Sequence, residues 1–297
     1  MRQLLVFGVL ATSLAVAGAT SSAGTPAALL TYSAGPSGGL CLARPDGSRR
    51  VRLLAGEARA PSWSPDGRFV AFARGGKIIV ANARGRIVRR FGSLGADPAW
   101  SPDGSRIAYA AGAPAPRIVV ARRAGRTLTS IWTGKNVASG PAWSPNSRRL
   151  AYADQLDIDG PSQAGANRVF VANADGSGRR LLIGSAAEPA WSPDGSRIAY
   201  VAYPSPLSDT GKVAVIGVDG ADARRVTSGD TPETGPAWSP SGRVIAFARQ
   251  AGSSTVVIAI RPDGTGERTL IRSRSGASDP TWRRPVALPK ARRAPCS

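Results

Sequence analysis

The tripeptide Pro-x-Trp occurs six times, at 61–63, 98–100, 141–143, 189–191, 236–238 and 280–282, and nothing else in the chain restricts its fold as much. The tryptophans stand 37 to 48 residues apart, a period that fits four short strands per unit. Each of Trp63, Trp100, Trp143, Trp191 and Trp238 is followed by a turn of the form Ser64-Pro65-Asp66-Gly67, with counterparts at 101–104, 144–147, 192–195 and 239–242. Serine can cap the first position, proline presets φ at the second, and glycine relieves the fourth in four of the five copies. An apolar second strand follows with one aromatic residue (Phe72, Tyr109, Tyr152, Tyr200, Phe247), then a third strand. Asp-Gly at 175–176, 219–220 and 263–264 marks a second hairpin. Six such antiparallel units predict an all-β, six-bladed propeller.

The two chain ends complement one another. Leu29 to Ser33, Leu40 to Ala43 and Val51 to Leu54 supply strands two, three and four of a blade that has no first strand, whereas Pro280-Thr281-Trp282 is a first strand with no second. Closure of the first blade by the C-terminal strand removes the open edges of an unclosed array. The same blade brings together the two cysteines, Cys41 on its third strand and Cys296 near the C-terminus. Both a disulfide and a pair of free thiols are compatible with the sequence.

The segment Pro-Ala-Trp-Ser-Pro-Asp-Gly-Ser-Arg-Ile-Ala-Tyr, intact at 98–109 and 189–200, resembles the TolB-type propeller repeat, also called PD40 or WD40-like. The resemblance spans about 29 to 285 and implies a fold used for several purposes: periplasmic TolB, propeller domains of prolyl-oligopeptidase-like peptidases, and other exported proteins. TolB has an α/β domain before its propeller, and the peptidases have an α/β-hydrolase domain; neither is expected in this chain. Fold likeness of this kind does not assign a ligand.

Arg2, the apolar run Leu4 to Val16 and Ala17-Gly18-Ala19 form the layout of a secretory signal peptide over 1–23, cleaved near Ala19 or Ala23. The expected organisation is therefore the signal segment, a propeller over 24–285 and a basic tail over 286–297. The product would be exported and periplasmic, cell-wall associated or secreted. Lys and Arg number 39 against 19 acidic residues, a formal charge of +20. For an exported protein such a surplus points to an anionic cell-envelope polymer or lipid head groups, or to genome-wide arginine enrichment on a solvated surface. With no aromatic-and-basic platform, nucleic acid is not an expected partner. A monomer, peripheral at most to a membrane, is the expectation.

The chain has no histidine, so a Ser-His-Asp triad and the commonest general base are excluded. Gly35-Pro36-Ser37-Gly38-Gly39 matches a nucleophile elbow only formally and reads as a glycine-rich loop. Ser-x-Asp-x-Ser at 101–105 and 192–196 is similar to part of the sialidase Asp-box but lacks its closing aromatic. Asp154, Asp157 and Asp159 form an acidic loop that reads either as solvated surface or as a calcium site, although its spacing departs from the EF-hand. No other cofactor is expected.

Alternating strand directions place the Ser-Pro and Asp-Gly turns on one face. The loops joining strands two and three, and those joining blades, lie on the other. The longest loops, from Asp154 and from Tyr203, fall on that second face, as do Asp97, Glu188 and Asp279, each just before a Pro-x-Trp. Variable loops on a rigid scaffold are where recognition usually sits. These acids are expected to form a pseudo-threefold ring at the channel mouth, with Trp132 and Tyr203 as stacking surfaces. The functional expectation is a non-catalytic module binding a protein or a cell-envelope polymer. The alternative is an exported glycan-acting hydrolase or lyase using carboxylates at the same mouth.

Overall fold

Six four-stranded antiparallel sheets make up the protein, seen in a computed structural model that describes residues 28–91, 94–112, 115–133, 137–155, 167–205, 208–273, 276–283 and 296. Five sheets are formed by consecutive strands. The sixth pairs the C-terminal strand Ser278–Arg283 with Leu29–Ser33, Leu40–Ala43 and Val51–Leu54. Leu30 faces Trp282 and Thr31 faces Thr281 in that closing ladder. Numbered in chain order from this blade, the six blades carry Trp282, Trp63, Trp100, Trp143, Trp191 and Trp238.

Within each blade the second and third strands are the most buried. Phe69–Arg74 and Lys77–Asn82 in blade two, or Arg197–Ala202 and Lys212–Gly217 in blade five, are buried along most of their lengths because neighbouring blades cover both faces. The repeat aromatics Phe72, Tyr152 and Phe247 are fully buried, and Tyr109 and Tyr200 nearly so. Outer strands such as Ile87–Phe91 and Thr127–Trp132 are half exposed.

The repeated tryptophan joins one blade to the next. Trp143 Nε1 donates to the Ala99 carbonyl at 3.0 Å, Trp238 Nε1 to Ala190 at 3.2 Å and Trp282 Nε1 to Ala237 at 3.1 Å, each acceptor being the middle residue of the preceding Pro-x-Trp. Trp63 Nε1 donates to Thr31 Oγ1 at 2.7 Å. Arginines cover several of these rings: Arg106 lies 4.6 Å from the Trp143 centroid, Arg149 5.1 Å from Trp191 and Arg283 4.5 Å from Trp63. Part of the arginine surplus is therefore structural, through cation–π contact.

The Ser-Pro turns close as the sequence requires. Gly67 N–H donates to the Ser64 carbonyl at 2.8 Å, and Ser64 Oγ donates to Asp66 Oδ1 at 2.6 Å. Asp103 and Asp194 accept from Ser101 and Ser192 in the same way, at 2.5 Å each. One local expectation fails: Gly35–Gly38 forms a single helical turn instead of a loop, with proline in its first turn, where a missing N–H costs nothing. Cys41 and Cys296 are paired as a disulfide with Cα atoms 6.2 Å apart. The signal segment, and the basic tail apart from Cys296, lie outside the described residues.

Candidate functional site

The site begins with the residue before each Pro-x-Trp proline. Proline cannot donate to a strand ladder, and in every inner strand the pairing register shifts across this point, for example between Ala96 and Ala99 and between Ala187 and Ala190. Such a bulge leaves one residue unpaired and re-aims its side chain. The six residues concerned, Ala60, Asp97, Gly140, Glu188, Gly235 and Asp279, all have positive φ, between 48° and 63°. For those other than glycine this conformation costs on the order of 1 to 3 kcal/mol each and persists only because the surrounding structure imposes it.

Around the ring, acid alternates with small residue. All six positions line a central cavity of about 460 Å³. Gly140 N–H donates to Asp97 Oδ2 at 3.1 Å, and Gly235 N–H donates to Glu188 Oε2, so two acids are each held by the next blade. A Cβ on Gly140 would lie 3.5 Å from the Glu188 Cα, and one on Gly235 would lie 3.3 Å from Pro280 Cδ, in backbone that already favours glycine. The third acid, Asp279, accepts from its neighbour Ser278 Oγ at 3.2 Å.

The electrostatics follow from this convergence. Burial pushes the Glu188 carboxyl up to about 7; the Gly235 N–H works against this, and the nearby charges of Asp279 and Asp97 add to it. Asp97 is raised for the same reasons, burial first, against its bond from Gly140 and with Asp279 adding. Like charges in one pocket resist simultaneous ionisation. An incoming cation would relieve that conflict.

The other candidate residues divide. Tyr203 is half-buried beside Glu188; burial raises its hydroxyl pKa and the Glu188 charge raises it further. Trp132 is not brought to the mouth. It is 60% exposed at the end of blade three's outermost strand, with Arg117 5.6 Å from its ring centroid, because the fourth strand lies farthest from the axis. Asp154 is not an open, solvated carboxylate. Its carboxylate is fully buried against Arg179 Nη2 at 2.6 Å and Arg168 Nη2 at 3.7 Å, so guanidinium groups occupy the place a calcium ion would need. Asp157 and Asp159 lie outside the described residues, among which no group of three His, Cys, Asp or Glu side chains, the mouth acids included, is placed to hold a metal ion. The partners Ala60, Gly140 and Gly235 were not singled out from the sequence, although their place before proline marked them as readily as it marked the acids.

Comparison with known proteins agrees with this architecture. A family model described as the TolB beta propeller domain (PD40) matches residues 38–285. The Tol-Pal system protein TolB of Zymomonas mobilis is 42% identical over 72 residues, which is 24% of this chain and 15% of that protein. Among solved structures, TolB from Acinetobacter baumannii superposes with a TM-score of 0.71 at 20% identity, covering 88% of this chain and 67% of that one. An oligogalacturonate lyase from Vibrio parahaemolyticus gives a TM-score of 0.52 at 12% identity, covering 71% of this chain and 65% of that one. At such identities the structural likeness shows the fold alone.

Proposed function

The chain belongs to the TolB β-propeller (PD40) family, and from that premise we propose that it is an exported, non-catalytic binding module whose channel mouth captures a protein ligand through a cationic group. The observation that carries the proposal is the alternation of Asp97, Glu188 and Asp279 with Ala60, Gly140 and Gly235 around one cavity. Three carboxylates converge there in a chain of formal charge +20, each on strained backbone and two fastened by a neighbouring blade. A guanidinium or ammonium group entering the mouth would come into the field of all three acids and lower the cost of their mutual repulsion. Export rests on the N-terminal segment Arg2 to Ala19.

The test uses short synthetic peptides carrying one or two arginines, with neutral and acidic peptides as controls. The expected result is selective binding of basic peptides, reduced at least about tenfold when Asp97→Asn, Glu188→Gln and Asp279→Asn are combined, with folding preserved. Unchanged binding in the triple variant would contradict the site. Catalysis on a glycan is the second reading, favoured by one observation: a carboxyl with its pKa near 7 next to a tyrosine is suited to proton transfer. Turnover of an acidic oligosaccharide that disappears in Glu188→Gln would select it.

A further inference from the structure

The face opposite the acidic mouth carries a second feature. After the turn that joins its third and fourth strands, every blade presents an arginine to solvent: Arg49, Arg86, Arg126, Arg180, Arg224 and Arg268 in blades one to six. All six are exposed, and among the described residues none of them forms an ion pair. Arg180 does donate to the Val218 carbonyl of the next blade, which fixes its position and leaves its charge unneutralised. Arg86 and Arg126 close their turns, Arg49 follows one residue after its turn closes, and Arg180, Arg224 and Arg268 stand three residues after, on the fourth strand, so the arginines encircle one end of the molecule, one from each blade, without sharing a single repeat position.

The acids on this face stay charged but are fewer than its arginines: besides those of the Asp-Gly turns, Asp66, Asp103 and Asp194 lie in the Ser-Pro turns and Asp222 follows the turn of blade five. Asp46, Asp175 and Asp263 each accept the backbone N–H two residues on, and their carboxyls are held below the usual range chiefly by serine or threonine side chains of the same turn. The corresponding turns of blades two and three, Asn82 to Arg86 and Arg122 to Arg126, contain no acid at all. Exposed arginines outnumber carboxylates on this end, and at the mouth end the two kinds are roughly balanced among the described residues. The charge of the protein is therefore polarised along the channel axis.

We propose that this arginine ring seats the protein flat on an anionic bilayer, by contact with lipid phosphate groups, with the acidic mouth turned away from the membrane. Guanidinium groups pair with phosphate bidentately, and basic side chains near an anionic leaflet each add to the attraction until salt screens it. A planar partner is favoured over a linear polyanion because the six charges close a circle on one face, and a bilayer is the partner that reaches all six at once. The large apolar side chains that are exposed, such as Val88, Leu128 and Leu181, sit on outer strands around the rim, so attachment is electrostatic rather than insertive.

The experiment is co-sedimentation of the protein with vesicles of phosphatidylcholine alone or with about 30 mol% phosphatidylglycerol, a composition that gives a negative surface potential. Binding is expected only to the anionic vesicles, at low salt, and should fall at least about tenfold near 0.5 M salt as screening shortens its range. Changing all six arginines to glutamine should cause a comparable loss at low salt. Variants with only Arg86→Gln and Arg126→Gln, which disturb the fold least, should lie between. The triple acid variant of the mouth should bind vesicles as well as the native protein does, which separates failure of this proposal from failure of the mouth reading. Equal binding to neutral vesicles, or undiminished binding by the six-arginine variant, would overturn the proposal. So would a clear preference for soluble polyphosphate over vesicles at equal phosphate, which would assign the ring to a polymer.

Discussion

Glu188 is the residue at which charge and surroundings conflict most. It stands in left-handed backbone, accepts one N–H from the next blade and faces two further carboxylates, and its pKa is raised from 4.5 to about 7. The native state therefore keeps a proton at pH values where the unfolded chain has released it. Between roughly pH 4.5 and 7 the contribution of this group to stability falls as pH rises, and above 7 the loss is complete. Glu188→Gln keeps an acceptor for Gly235 and removes the charge. It should raise the melting temperature by a few degrees at pH 8 and leave it nearly unchanged at pH 4.5. An equal shift at both pH values would show that the substitution acts through packing, and a lower melting temperature at pH 8 would contradict the cost assigned to the charge.

Among the elements, the closing blade depends most on distant parts of the chain. Its innermost strand comes from Ser278–Arg283 and its other three from before residue 55, so its ladder joins the two ends. Arg283 adds to the closure by donating through Nε at 3.0 Å and Nη2 at 2.7 Å to the Gly67 carbonyl of blade two. The Cys41–Cys296 disulfide spans a sequence separation of 255, and closing so long a loop contributes on the order of 5 kcal/mol in the chain-entropy model. Alkylation followed by mass spectrometry should find no free thiol before reduction, and Cys296→Ser should lower the melting temperature by roughly 10 °C or more. Two alkylatable thiols without reductant would rule the bridge out.

The blade pattern was legible because each local signal, Pro-x-Trp, Ser-Pro-Asp-Gly and Asp-Gly, dictates a conformation within a few residues. The shared position of Asp97, Glu188 and Asp279 was legible for the same reason, since each occupies one place in a repeat. Contacts made by long side chains across blades were not. Asp154 read as an open acidic position, yet it is claimed by Arg168 and by Arg179 from two strands away, a pairing that no local pattern specifies. Trp132 was assigned to the right face at the wrong radius, because face follows from strand direction and radius from strand order within the blade.

For the whole molecule, the channel axis separates two chemistries: carboxylates at one mouth and a ring of arginines around the other end. The central claim, that the acidic mouth holds a cationic group, is tested most directly by titrating an arginine-containing peptide ligand calorimetrically from pH 5.5 to 8.5. With the peptide's termini blocked, its guanidinium is its one charge and stays fully charged throughout, so any change in affinity reports the protein. Ionisation of Glu188 near 7 should strengthen binding by about tenfold or more across this range in the native chain, and the dependence should flatten in Glu188→Gln. Affinity independent of pH in the native protein, or an equal pH dependence in both proteins, would contradict it.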